Sequence, residues 1–255
     1  MTALHPWPAL DQRLVHLSEA GSTNSEAMRL AGEGAASGTW VLADQQTAGR
    51  GRSGRVWHSP AGNFYASLVL RDVVPLEKAA QLALVSGVAV HAAVRAATGG
   101  ALAARLELKW PNDILLGQRK LGGILVESSV ERRDQGALAV IGVGLNLAHH
   151  PALPDKPAAD LMGHGASIAP LNFLPLLDRS MQEWVSNWAS GAGFAAVREA
   201  WLARSLPLGA GLVVHSGQGA VKGVFAGLDP DGALLLTVPS GALQTVTFGD
   251  VALST

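Results

Sequence analysis

The chain of 255 residues is 48% hydrophobic and 15% charged with a formal net charge of −1, the composition of a compact protein with one large domain, or one large and one small, and no charged disordered tail. Its 19 Lys and Arg against 20 Asp and Glu leave no broad basic excess, which argues against DNA as a partner. The absence of cysteine excludes disulfides, thiolate metal sites and a cysteine nucleophile. The start, Met1–Pro8, lacks the basic-then-apolar order of a signal peptide. The longest weakly charged run, Ala79 to Val94, falls short of the roughly 20 apolar residues of a membrane span. A cytoplasmic protein without a membrane partner is expected.

In chain order, Leu14–Leu17 alternates as a short strand, and Ser22, Thr23 and Asn24 offer caps for a helix through Ala27–Leu30. Trp40–Ala43 reads as a strand, Phe64–Leu70 as a core strand, and Leu76 to Ala97 as a long, mostly buried helix ended by Gly99-Gly100. Strands at Arg105–Trp110, Ile114–Leu116, Gly123–Glu127 and Ala139–Leu147 have short links, predicting antiparallel neighbours. An irregular segment with Pro151, Pro154 and Pro157 is a candidate cover for a site. Leu174, Leu177, Met181, Trp184 and Trp188 then recur at helical spacing, which predicts packed tryptophans rather than a cofactor box. A second helix over Phe194–Arg204 stops at Pro207. Glycine-punctuated apolar runs at Val213–His215, Val221–Ala226, Ala233–Val238 and Gln244–Phe248 predict a small β-barrel or sandwich, with a boundary near Leu206–Gly211.

The most informative local feature is the loop from Gly49 to Trp57, where three arginines alternate with three glycines. Glycine lets backbone approach a ligand, and the arginine fork suits carboxylate and phosphate oxygens, so an anion is the expected guest. The loop also matches the dinucleotide fingerprint G-x-G-x-x-G through Gly49, Gly51 and Gly54, but that fingerprint opens a helix, and Pro60 and Gly62 oppose one here. A mobile basic flap is expected instead of a Rossmann turn; a solvated arginine loop is the alternative.

A second constellation is Lys109-Trp110-Pro111-Asn112-Asp113 followed by Arg119-Lys120-Leu121-Gly122-Gly123-Ile124. Pro111 sets a sharp exit that places Asn112 and Asp113 at a strand end, Lys120 opens the returning strand, and Gly122-Gly123 leaves backbone room. Two lysines and one carboxylate converge, unless the hairpin is merely solvated. The strand around Gly142-Val143-Gly144-Leu145-Asn146 carries an asparagine that needs partners if buried, and glycines that suit an approaching flat ring. His149-His150 show no spaced carboxylate or third histidine, so no zinc site is expected. Neither a P-loop nor a G-x-S-x-G elbow occurs.

Five ordered motifs together resemble the biotin protein ligases: Ser22-Thr23-Asn24; Gln46 through Arg52 with Gly54, Arg55 and Trp57; Lys109 through Asp113; Arg119 through Ile124; and Gly142 through Asn146. The end of the chain, Gly223–Asp229 and Gly232–Leu236, is similar to that family's SH3-like domain. The resemblance implies an α+β fold: a class II synthetase-like catalytic domain over residues 1–206, with a mixed or antiparallel sheet and packed helices, and an SH3-like β-barrel over 207–255. Two departures are visible. Only about twenty residues precede Ser22, so the N-terminal DNA-binding domain of bifunctional members is not expected, and Asp250 stands where many members carry glutamate.

The family joins biotin to ATP, forming biotinyl-5′-AMP and pyrophosphate, then passes biotin to a lysine of a biotin carboxyl carrier protein. By resemblance Ser22, Thr23, Asn24 and Gln46 bind the ureido ring, Trp57 covers it, and Gly51 and Gly123 line the biotin site. Arg50, Arg52 and Lys120 meet the biotin carboxylate and the α-phosphate. Lys109, Asn112, Asp113 and Asn146 face ATP, and Mg²⁺ is held through ATP phosphates with Asp113 as the candidate carboxylate. Lys120, Arg52, Lys109 and Asp113 are the expected catalytic set, with Asp113 orienting or deprotonating the carrier lysine. Monomer and homodimer stay open. The rival readings are a lipoate or octanoate ligase of related fold and a non-catalytic biotin- or nucleic-acid-binding regulator.

Overall fold

The computed structural model describes residues 7–71, 78–132, 135–152, 157–217 and 219–254. The expected features at Met1–Pro6, the first two positions of the helix expected from Leu76, and Pro154 lie outside the described residues.

Seven strands form the first sheet: β1 (Leu14–Leu17), β2 (Trp40–Ala43), β3 (Phe64–Leu70), β4 (Leu106–Lys109), β5 (Asp113–Leu116), β6 (Arg119–Arg132) and β7 (Gln135–Leu145), in the order β1-β2-β3-β7-β6-β5-β4. β1 and β2 run parallel, joined through helix α1 (Thr23–Gly32), and the other neighbours are antiparallel. The expected Gly123–Glu127 strand is thus the middle of a much longer one, because β6 and β7 pair almost from end to end. Gly49–Gly54 opens no helix; Arg52–Gly54 is a single 3₁₀ turn.

Alternation along each strand splits the sheet into two faces. Phe64, Ala66, Leu68 and Leu70 of β3, with Ala139, Ile141, Val143 and Leu145 of β7, face the main core. There they meet helices α2 (Gln81–Ala97), α3 (Pro170–Trp188) and α4 (Phe194–Leu202). The intervening Val69, Leu138 and Val140 face α1 through Ala27 and Ala31. On α3 the predicted stripe is buried except for Trp184, which is half-buried under Arg204, while Trp188 donates its indole N–H to Gln81 at 2.8 Å. Asp178, at a buried position the stripe does not include, accepts from Arg13 at 2.6 Å and from the Trp40 indole at 2.8 Å.

The second sheet holds β8 (Gly211–Ser216), β9 (Gly219–Leu228), β10 (Leu234–Thr237), β11 (Leu243–Val246) and β12 (Asp250–Leu253), in the order β11-β10-β9-β8-β12. β12 was not foreseen. Leu212, Val214, Phe225, Leu228 and Val251 join the main core, and Trp201 meets Phe225 edge-on at 6.4 Å. Among the described residues no helix is long and apolar enough to cross a membrane.

His91 of α2 is buried and its Nε2 lies 3.3 Å from the Leu106 carbonyl. Burial, helped by Arg204 and opposed by that hydrogen bond, pulls its pKa down to about 4. An unfolded chain takes up this proton near its ordinary ~6.5, so the resulting stability is complete above that pH and is lost as pH falls toward 4, on the order of 3 kcal/mol. Urea unfolding at about pH 7 and about pH 4.5 is expected to show this loss in the wild type and a smaller one in His91→Gln; equal losses would discount His91.

Candidate active site

On the face shared with α1, strand register lines up Lys109, Asp113, Gly123, Gly144 and Tyr65 as successive cross-strand neighbours on β4, β5, β6, β7 and β3. Leu125, Gly142 and Ser67 form the adjacent row. Simple alternation would put Lys120 on the opposite face from Gly123. A register shift between Ile114 and Leu115 inserts an extra residue in β6, so Lys120 reaches Asp113 while Leu121 enters the core.

Asp113 is the electrostatic centre. One carboxylate oxygen bonds Lys120 and the other lies 2.8 Å from Lys109 Nζ, which also donates to the Val251 carbonyl at 2.6 Å. Burial alone would raise the Asp113 pKa, but Lys120 and Lys109 outweigh it and hold the carboxyl below its ordinary value. Asp113 is therefore a firmly ionised charge balance and a weak base. Beside it, Arg52 donates to Asn112 Oδ1 at 3.3 Å and to the Gly249 carbonyl at 3.2 Å, with its guanidinium 5.4 Å from the Phe248 ring. Burial lowers the Arg52 pKa, opposed by Asp250. Asp250 is itself bonded to Arg55 at 2.5 Å. Two lysines and Arg52 around one shared carboxylate leave positive charge suited to an anion.

The arginine loop is a closed hairpin. Trp57 N–H donates to the Gly49 carbonyl at 2.9 Å and Gly51 N–H to the Arg55 carbonyl at 2.7 Å, with Ser53 and Gly54 left-handed at the tip. It carries Trp57 over β7. A Cβ on Gly144 would lie 2.7 Å from Trp57 Nε1, so the flat ring that approaches the glycine strand is the protein's own indole. Lys120 Nζ stands 5.5 Å from that ring, and the Trp57 indole N–H is buried without a hydrogen-bond partner among the described residues. At Gly123 a Cβ would meet the Lys120 side chain at an ordinary 3.5 Å, leaving the floor open there.

The start of α1 forms one wall. Ser22, Thr23 and Asn24 are buried; Gln46 Oε1 accepts the Thr23 backbone N–H at 2.8 Å, and Gln46 Nε2 donates to Ser59 Oγ at 2.9 Å. Arg50 does not join the Asp113 cluster: it donates to Ser25 at 2.9 Å and pairs with Glu127 at 3.3 Å. Asn112 Nδ2 donates to the Ile124 carbonyl at 2.6 Å. Asn146 is buried and donates to the Ala159 carbonyl at 3.0 Å, holding residues 157–161 along Lys120. The structure thus brings together Lys109, Asp113, Lys120, Arg52 and Asn112, and separately Thr23, Asn24 and Gln46.

Sequence reasoning missed Ser67, Glu127, Ser59 and Tyr65, whose hydroxyl donates to the Pro60 carbonyl at 2.9 Å. Ser67 interrupts an apolar strand, and Glu127 follows Gly123 and Leu125 at every second position, so alternation carried both signals. Asp160, at 2.5 Å from His150, supplies a carboxylate that spacing did not suggest. Among the described residues, even so, no group of three or more His, Asp or Glu is placed to hold a metal.

Residues 22–146 match the biotin/lipoate A/B protein ligase family, and residues 213–254 match the biotin protein ligase C-terminal domain. The chain is 42% identical over 233 residues to a biotin–[acetyl-CoA-carboxylase] ligase of Paracoccus denitrificans, covering 88% of this chain and 94% of that protein. It is 34% identical over 250 residues to a biotin–[acetyl-CoA-carboxylase] ligase of Mycobacterium tuberculosis, covering 96% and 89%. A solved structure of biotin protein ligase from Aquifex aeolicus in complex with biotin and ATP aligns with a TM-score of 0.79 at 27% identity, covering 95% of this chain and 100% of that one. The Asp113 cluster, the wall at the start of α1 and the small second sheet fall within these matches, and the chain belongs to the biotin protein ligase family.

Proposed function

We propose that this protein is an ATP-dependent ligase that activates biotin as biotinyl-5′-AMP and transfers the biotin to one lysine of a biotin carboxyl carrier protein. The observation that carries the reading is the cationic cluster of Lys120, Lys109 and Arg52 around Asp113, at the edge of a glycine floor roofed by Trp57, in a chain of this family. The biotin-ligase relatives favour it over lipoate or octanoate ligation. No DNA-binding role is assigned, and the reaction is placed in the cytoplasm.

In the first step the biotin carboxylate attacks the α-phosphorus of ATP and pyrophosphate leaves. Two anions must be brought together, and Lys120 and Arg52 supply the compensating charge. The ureido ring lies over Gly123 beside Trp57, which itself fills the space above Gly144, within reach of Ser22, Thr23 and Gln46, with Gly51 in the loop beside it. Lys109, Asn112 and Asn146 belong to the nucleotide side. Mg²⁺ accompanies ATP through its phosphates, beside an Asp113 whose two carboxylate oxygens each pair with a lysine.

In the second step the carrier lysine, as the free amine, attacks the mixed anhydride and AMP leaves. Asp113, held below its ordinary pKa, positions Lys109 and Lys120 rather than taking that amine's proton. Residues 1–206 serve as the biotin and ATP domain in this reading and 207–255 as the small C-terminal domain. The contacts of Arg52 with Gly249 and of Lys109 with Val251 support a role for the second in closing the site.

The deciding experiment is incorporation of biotin into a carrier domain with ATP and Mg²⁺; no incorporation into an active carrier would sink the reading. Arg52→Gly is expected to release adenylate and biotinylate bystander lysines, and tight retention of adenylate would contradict the role of the loop. Asp113→Asn leaves a half-buried cationic pair without its counter-charge, so adenylate formation should fall by roughly tenfold to hundredfold. Transfer from preformed adenylate should be retained in the same variant, as followed in single-turnover assays, and its loss would restore Asp113 as the base.

A further inference from the structure

Glu127 lies on β6 in line with Gly123 and Leu125, and its carboxylate is shared. Oε2 accepts the Asn24 side-chain N–H at 2.7 Å, and both oxygens lie 3.3 Å from Arg50 Nη2. Arg50 in turn donates to Ser25 Oγ at 2.9 Å, on the first turn of α1.

A carboxylate only accepts, so the Asn24 amide must turn its NH₂ toward Glu127. The Leu125 carbonyl, 3.3 Å from the same nitrogen, requires the same orientation. Asn24 Oδ1 then faces Ser67 Oγ at 2.6 Å, and Ser67 must spend its single proton there. Ser67 Oγ is also 2.8 Å from Thr23 Oγ1, so the proton between these two oxygens belongs to Thr23. Thr23 Oγ1 lies 3.1 Å from Gln46 Oε1 as well, but sending its proton there would set two lone pairs against each other across the shorter contact with Ser67.

The Thr23 hydroxyl oxygen is thereby left with lone pairs alone, an acceptor for a ligand N–H, and a cyclic urea carries two N–H groups. Asn24 is seated close over the Gly142 backbone in space that only glycine leaves: a Cβ there would lie 2.2 Å from Oδ1. Both of its amide hydrogens and one acceptor site of Oδ1 are taken by protein partners, which makes it a support for the wall.

We infer that Glu127 is a positioning residue for biotin: it fixes the donor–acceptor direction of the Asn24–Ser67–Thr23 chain so that Thr23 accepts from the ureido ring, and through Arg50 it holds the arginine loop against the same wall. The inference rests on the biotin-ligase reading above. It separates two tasks that Glu127→Leu and Glu127→Gln affect differently, since glutamine keeps an acceptor for Asn24 but loses the charge that pairs with Arg50.

The test uses the full chain with a carrier domain, measuring KM for biotin and for ATP, biotinylation of a bystander protein, and the melting temperature. Glu127→Leu should raise the biotin KM by about tenfold, with the ATP KM changed by less than about twofold, and should raise bystander labelling several-fold. Glu127→Gln should raise the biotin KM by a smaller factor and share the increase in bystander labelling. If Glu127→Leu does not fold, Glu127→Gln decides: bystander labelling and a biotin KM both at wild-type values overturn the proposal. An equal rise in both KM values, the mark of general damage, also overturns it. A wild-type protein that neither binds nor transfers biotin would instead fell the ligase reading together with this inference, whereas an active wild type with indifferent Glu127 variants fells the inference alone.

Discussion

Two-residue alternation across three long antiparallel strands is the constraint on which the site depends. One set of side chains on β3 and β7 is large and apolar and is buried under α2, α3 and α4; the other set must then face α1. On that second face β7 carries Gly142 and Gly144, which leave depth where ordinary side chains would fill it. Trp57 and Asn24 settle into this depth from above. A slip of one residue in register would move the glycines into the core and apolar side chains into the pocket, so burial of the main core enforces the geometry of the opposite face.

The charges follow the same register. Lys109, Asp113 and Gly123 are direct cross-strand neighbours, and an inserted residue in β6 swings Lys120 to join them. A half-buried lysine pair would be costly alone, and Asp113 offsets it while leaving net positive charge for a substrate anion. The low proton affinity that results is a consequence of this balance, which is why the carboxylate is better suited to holding lysines than to accepting a proton. In the proposed reaction, charge neutralisation and orientation carry the first step.

The second sheet is part of the same construction. Its Phe225 and Leu234 share the core with Trp201 and Trp110, and the turn into its last strand brings Phe248, Gly249 and Asp250 to the arginine loop. Arg52 and Arg55 are thus held from the far end of the chain, and Arg50 from β6 through Glu127. The loop that stands out most in the primary structure is shaped by contacts remote from it in sequence.

Much of this protein was legible before any coordinates. Short apolar runs marked β3 and β7, helical spacing marked α3, and the motifs at Ser22–Asn24, Gly49–Trp57, Lys109–Asp113 and Arg119–Ile124 named the family and the chemistry, because local patterns and residue types are properties of contiguous sequence. The length of β6, the existence of β12, the turn of Lys120 toward Asp113 and the capture of Arg50 by Glu127 were not legible. Each depends on the register between segments far apart in the chain, which only long-range packing sets. Sequence by itself determined which side chains were available and what chemistry they favour; tertiary structure decided which of them face one another, since a hydrogen-bond partner or a counter-charge is chosen by distance in space and not along the chain.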